Sequence, residues 1–234
     1  MKKEKKLTFF DGLREEEQQL LLSKGTEISV QKGTSLFLEG DEPNHIYLIQ
    51  SGKIRLSKTS AEGKVLFFEL KEKSDLVGEL SLYNSLKISF NAEVISDAIM
   101  IRYDRSTIEE ICTENGDIAI AFMKWFSAHN NYILAQFRDL IFCGKTGALY
   151  SILIRLSNSH GKVNKDGIFI NKKLTNQELA NYVGATRESV SRMLKSLISE
   201  NIISVDSKYI TIHQIGYLQE HLRCEYCTFS ECKL

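Results

Sequence analysis

Three cysteines, Cys224, Cys227 and Cys232, crowd the last eleven residues of a 234-residue chain. Thiolate sulfur is a soft ligand, and a Cys-x2-Cys-x4-Cys run can converge on one iron-sulfur cluster or one zinc ion. Three ligands leave a position of a four-coordinate centre unfilled, so the run needs a partner from elsewhere in the chain. The same spacing permits a redox disulfide between Cys224 and Cys227, or a solvated terminus of unpaired thiols. Cys143 and Cys112 stand apart, and Cys112 reads as a small buried filler. An odd total of five does not suggest a disulfide framework.

A second concentration of chemistry begins at Leu174. Thr175 can accept from the backbone N–H of Glu178, whose carboxylate reaches back, while Leu174 can clamp Leu179; a helix therefore starts there. Counted from Asn176, Ala180 is fifth, Gly184 ninth and Val190 fifteenth, the small, turn and buried positions of a helix-turn-helix. Thr186 then caps the second helix. On that helix Val190, Leu194, Leu197 and Ile198 share one face and should be core. Glu188, Ser191, Arg192 and Lys195 lie opposite, with Arg187 in the first turn. Arginine can bond O6 and N7 of guanine and glutamate can accept from cytosine N4, so these residues could read bases in a major groove. The alternative is an ordinary solvated charged face. Between Lys172 and Lys208 six basic residues meet four acidic ones, so affinity for DNA would rest on placement and dimerisation rather than bulk charge.

Other segments must position these groups. Lys+Arg and Asp+Glu both number 30 and hydrophobic residues make up 43%, a globular composition that excludes a polycation, a collagen or a disordered chain. No apolar run approaches the roughly 20 residues of a bilayer span. Leu7 to Leu22 is broken by Asp11, Arg14, Glu15, Glu16 and Glu17, which is unlike a secretory signal, so a cytoplasmic protein is expected. From Thr26 to Tyr103 short apolar runs alternate with glycines at 33, 40, 52, 63 and 78, the pattern of an antiparallel sandwich or roll. From Gly116 to Phe142 the period changes. Ile118, Phe122, Trp125, Phe126, Ile133, Phe137 and Leu140 recur mostly at steps of three and four, predicting one long helix able to pack against a copy of itself. Ala148 to Ser157 is helical again. Ile202 to Val205 and Tyr209 to His213 alternate like a hairpin behind the reading helix, completing a winged helix-turn-helix. The expected division is a roll at 1–115, a dimerisation helix at 116–143 and a winged domain with its cysteine tail at 144–234. No nucleophile-base pattern, His-Glu-x-x-His motif or phosphate-binding glycine loop is present, and the five histidines form no close-spaced metal motif, so an enzyme is not expected.

In this order the pieces resemble the CRP/FNR family of bacterial transcription regulators. The resemblance rests on Gly33-Thr-Ser-Leu, Glu39-Gly40-Asp41, Ile46-Tyr47-Leu48-Ile49 with Gly52, Gly78-Glu79-Leu80, and Leu174-Thr-Asn-Gln-Glu-Leu-Ala through Gly184-Ala-Thr-Arg-Glu-Ser-Val-Ser-Arg192. It implies an α+β chain: an antiparallel β-roll of the cyclic-nucleotide-binding kind, a long dimerisation helix and a winged helix-turn-helix. It further implies a homodimer on double-stranded DNA, with RNA polymerase as a further partner and no membrane. Arg187, Glu188 and Arg192 match the base-reading positions of the CRP branch, implying a palindromic TGTGA-like site, and Ser191 matches a reading position of the FNR branch. CRP-like pockets hold a cyclic phosphate with an Arg-Ser pair soon after Gly-Glu-Leu. Here Ser89-Phe90-Asn91-Ala92 offers no arginine, so no cyclic nucleotide is expected.

The resemblance narrows to the FNR proteins of bacilli through Phe122-Met-Lys-Trp125, Arg138-Asp139-Leu140, Gly144-Lys145-x-Gly147-Ala-Leu-Tyr-Ser151, Ile154-Arg-Leu-Ser-Asn158 and Arg223-Cys-Glu-x-Cys227. Those proteins carry cluster cysteines at the C-terminus. This likeness implies one [4Fe-4S] cluster per subunit on Cys224, Cys227 and Cys232, with Asp139 as fourth ligand and oxygen as the signal for anaerobic genes. Cys143, one helical turn beyond Asp139, is the rival fourth ligand. A CRP-like regulator controlled by zinc, thiol redox or a small ligand is the alternative.

Overall fold

The computed structural model describes residues 8–79, 87–223 and Cys232. Cys224, Cys227 and Leu80, all singled out by the sequence, lie outside the described residues. The chain forms two compact units, one holding residues 8–58 and 68–129, the other 59–67 and 130–223.

In the first unit α1 (Glu15–Lys24) precedes the strands β1 (Thr26–Val30), β2 (Ser35–Phe37), β3 (His45–Thr59), β4 (Val65–Lys71), β5 (Leu76–Val77) and β6 (Asn91–Asp104). The sheet runs β1-β6-β3-β4, with β2 on β6 and β5 on β3. The β1, β2 and β3 pairings with β6 are antiparallel, as is β3 with β5. Side chains alternate across a strand, and here both faces are buried, which is why Ile46 to Ile49 reads as an unbroken apolar run. Ile46, Leu48, Ile101 and Tyr103 pack on one side with Phe9, Leu21, Ile108 and Ile118, whereas Tyr47, Ile49, Ala98 and Met100 pack on the other with Phe37, Ile54 and Val94. Tyr103 donates its hydroxyl to the Leu21 carbonyl at 3.0 Å, so this core phenol is satisfied. The helix α2 (Arg105–Glu114) closes the roll.

The helical stretch α3 (Gly116–His160) is broken at Gly144, whose φ of 62° and ψ of −163° are open to glycine and to few other residues. The expected apolar stripe divides. Ile118 and Phe122 are buried in the roll's own core and Leu140 packs into the winged core, while Met123, Phe126, Ile133, Phe137 and Ile141 stay exposed. An 18-residue window of α3 reaches a mean hydropathy of 1.3, yet 61% of it is buried inside the protein, as in the core helix of a globular domain.

In the second unit four strands, β7 (Gly161–Asn164), β8 (Gly167–Ile170), β9 (Ile203–Asp206) and β10 (Tyr209–Ile212), form a sheet in the order β7-β8-β10-β9. The expected hairpin is β9 with β10. Its two-residue loop, Ser207-Lys208, has positive φ at both positions, the twist that matches flanking strands. The hairpin of β7 and β8 goes beyond the sequence reading, although Asp166-Gly167 carries a turn signal. Leu149, Leu153, Leu156, Ile170, Leu179, Val190, Leu197, Ile210 and Leu218 build one core under α4 (Asn176–Val183), α5 (Arg187–Ser199) and α6 (Ile215–Leu222).

Candidate DNA interface and cysteine site

Local rules place the second helix of the helix-turn-helix. The Glu178 N–H donates to Thr175 Oγ1 at 3.1 Å and the Thr175 N–H to Glu178 Oε2 at 2.8 Å, closing the expected capping box at the start of α4. Gly184 ends α4 in the left-handed region at φ 64°, ψ 33°, where a side chain would cost energy. Thr186 accepts from the Ser189 N–H at 3.2 Å and starts α5. Ala180 and Val190 are fully buried between the two helices, as a close crossing requires. Val190, Leu194 and Leu197 are core, but Ile198 is 40% exposed and corrects the expected apolar face. One position past Leu197 means about 100° of rotation, enough to turn Ile198 away from the core in the last turn.

Arg187, Glu188, Arg192 and Lys195 are exposed on α5 and Ser191 is half-buried. Arg192 Nη2 lies 3.5 Å from Ser189 Oγ, while Arg187, Glu188 and Lys195 form no ion pair among the described residues. An arginine left without a protein carboxylate keeps its full donor fork for another acceptor.

The Asp139 carboxylate is different. It is 3% exposed, and Ser151 donates its hydroxyl to Oδ2 at 2.6 Å. Arg138 donates to Oδ1 from Nε at 3.0 Å and from Nη2 at 2.6 Å. Arg155 Nη2 stands 3.9 Å from Oδ2, and Arg155 is itself 1% exposed. Two guanidinium groups and one hydroxyl thus compensate a buried charge that would otherwise be very costly. Asp139 is no plain surface aspartate.

The described cysteines fall in three environments. Cys143 is half-buried, with Sγ 3.8 Å from the carbonyl oxygen of His221, two residues before Arg223 closes α6 and the tail begins. Cys232 is half-buried too, and its carbonyl accepts from Asn158 Nδ2 at 2.7 Å. Asn158 follows Ser151 and Arg155 at steps of four and three along one helix face, so that face touches Asp139 at one end and the tail at the other. Burial pushes the Cys112 thiol up, away from thiolate, and it packs against the roll core. Among the described residues no group of three or more His, Cys, Asp or Glu side chains converges as a metal site; Cys224 and Cys227 are not among them. On the roll, the Glu79 carboxylate accepts from the Ser89 N–H at 3.1 Å and hydroxyl at 3.3 Å. A cleft of about 350 Å³ nearby is lined by Asp41 and Glu42 together with Phe37, His45, Tyr47 and Ile88, and Glu42 pairs there with Lys87 at 3.1 Å.

Comparison with known proteins supplies the deciding observation. Over 218 residues, 92% of each chain, this protein is 42% identical to the anaerobic regulatory protein of Bacillus subtilis. The chain belongs to the CRP/FNR family of transcription regulators. Residues 27–115 match the cyclic nucleotide-binding domain and residues 148–221 the Crp-like helix-turn-helix domain. A CRP-like cAMP-activated global transcriptional regulator of Mycobacterium tuberculosis is 23% identical over 92% of this chain and 96% of its own. Among solved structures, a CooA mutant from Carboxydothermus hydrogenoformans superposes with a TM-score of 0.74 at 19% identity, covering 87% of this chain and 90% of that one. A CprK complex does so at 0.70 and 20%, covering 88% and 93%. The expected α+β architecture of roll, long helix and winged helix-turn-helix is thereby borne out, and the relatives are regulators of transcription rather than enzymes.

Proposed function

We propose that this protein is an oxygen-responsive regulator of anaerobic genes that binds a palindromic TGTGA-like operator as a homodimer while a [4Fe-4S] cluster is intact. The observation that carries the reading is the helix face of Ser151, Arg155 and Asn158, which holds the buried Asp139 carboxylate at one end and the backbone of Cys232 at the other. The donor set fits the group. Three thiolates suit iron, and the carboxylate engages three of its roughly four lone-pair positions with protein donors, leaving one for a metal. Cys224, Cys227, Cys232 and Asp139 would hold the cluster, with Cys143 as rival to Asp139; when bound, it supplies an oxygen-labile crosslink. The likeness to a protein named for anaerobic regulation supports the signal.

The chain's own residues do the rest. Arg187, Glu188, Ser191 and Arg192 read base edges from α5, and the exposed stripe of Phe126, Ile133, Phe137 and Ile141 forms the dimer seam in the cytoplasm. Two reading helices about one helical turn apart would meet the two half-sites. RNA polymerase is the further partner. The lack of an arginine in Ser89-Phe90-Asn91-Ala92, where Ser89 is instead held by Glu79, supports a roll that takes no cyclic nucleotide. Air-free purification with iron and sulfide analysis, followed by footprinting, tests this reading: about four irons per subunit and operator protection lost on cluster removal are expected. A colourless, iron-free protein, or equal protection with and without the cluster, overturns it.

A further inference from the structure

Arg155 is among the largest fully buried side chains of the protein, and a buried guanidinium is costly unless its charge is answered. The answer is a relay. Arg155 Nε donates to Ser151 Oγ at 3.2 Å, and the Ser151 hydroxyl donates to Asp139 Oδ2 at 2.6 Å, the length of a charge-assisted bond. The Arg155 guanidinium also lies 5.0 Å from the centre of the Tyr132 ring, so its plane is fixed from a second side. Because Ser151 and Arg155 follow the Gly144 break while Tyr132 and Asp139 precede it, the relay bridges two helical segments that meet at a kink. Arg138 grips Oδ1 from the neighbouring position.

We propose that Ser151 and Arg155 are positioning residues for Asp139 as the oxygen ligand of the iron centre: they fix its carboxylate in one orientation and leave a single Oδ2 lone pair for the metal. This rests on the cluster reading above. The partly buried Cys143 thiol, whose contact to the His221 carbonyl is a weak 3.8 Å, is the rival donor that the experiment below separates from Asp139. Outer partners of ligating groups commonly govern metal affinity by about 10- to 100-fold.

The test uses the full-length protein purified without air. Wild type, Ser151→Ala, Arg155→Met, Arg155→Lys and Cys143→Ser are compared for iron release to a ferrous chelator and for the Mössbauer signal of the oxygen-bound iron, with circular dichroism checking the fold. Ser151→Ala should speed release about 10- to 100-fold and shift that signal. Arg155→Lys should recover part of what Arg155→Met loses, and Cys143→Ser should change neither readout. Should Arg155→Met not fold, Ser151→Ala decides alone, since it removes one hydroxyl. Wild type that holds iron while Ser151→Ala releases it within twofold of wild type, or releases it faster with an unmoved signal, overturns the positioning role and leaves the cluster standing. An iron-free wild type removes the cluster reading itself and this role with it.

Discussion

On α5 the guanidinium of Arg187 and the carboxylate of Glu188 make no ion pair among the described residues, whereas at Asp139 three donors converge on one buried carboxylate. The exposed face of α5 leaves its bonding capacity open to solvent; the Asp139 site spends most of its capacity within the chain. Polar side chains of the first kind can be changed with little effect on folding, because water already satisfies them. Those of the second kind cannot, because the groups left behind stay buried.

The sharpest way to break this contrast is Asp139→Ala in the metal-free protein. It removes a buried carboxylate facing Arg155 and the acceptor of the Ser151 hydroxyl, and should lower unfolding free energy by about 3–5 kcal/mol, measured by urea denaturation; a loss under about 1 kcal/mol would make the site an ordinary surface pair. Next in size, Arg192→Ala should cost roughly 1–3 kcal/mol in operator affinity by gel shift while the melting temperature stays put. A melting point that falls with the affinity would erase the distinction between the two regions. The smallest effect concerns Tyr150, which packs against Tyr217 and His221 of α6 and whose phenol is pushed up to about 12 by burial and then by Tyr217. The folded state keeps this proton after the unfolded chain, near 10, has lost it. Stability from this group is therefore complete below about pH 10 and declines as pH rises toward 12. An alkaline melting series should show that decline, and Tyr150→Phe should flatten it.

Much of the reading helix was legible because its causes are local. A cap acts across three residues, a turn glycine across one, and a helix face repeats at three and four, so Thr175, Gly184, Thr186 and Val190 could be placed from spacing alone. Ile198 escapes the rule because the core covers less of a helix end than of its middle. The long apolar stripe was visible, but its division was not: Ile118 and Phe122 serve the roll and Phe137 does not, a choice made by what the roll leaves uncovered. The hairpin of β7 and β8 was signalled by Asp166-Gly167 and hidden by weak alternation, since Val163 is largely exposed. Asp139 was reached only through family likeness. Its partners Ser151 and Arg155 lie twelve and sixteen residues on, past a break that ends helical periodicity, and no spacing rule spans such a gap.

At Gly144 the rod departs from helical geometry, and side chains cross the joint. Between the turn of Phe137 and the segment that carries Leu149 and Leu153, a single hydroxyl supplies a short strut across the joint. Part of the stiffness at that joint therefore lies in side-chain chemistry, which can change within the lifetime of one molecule.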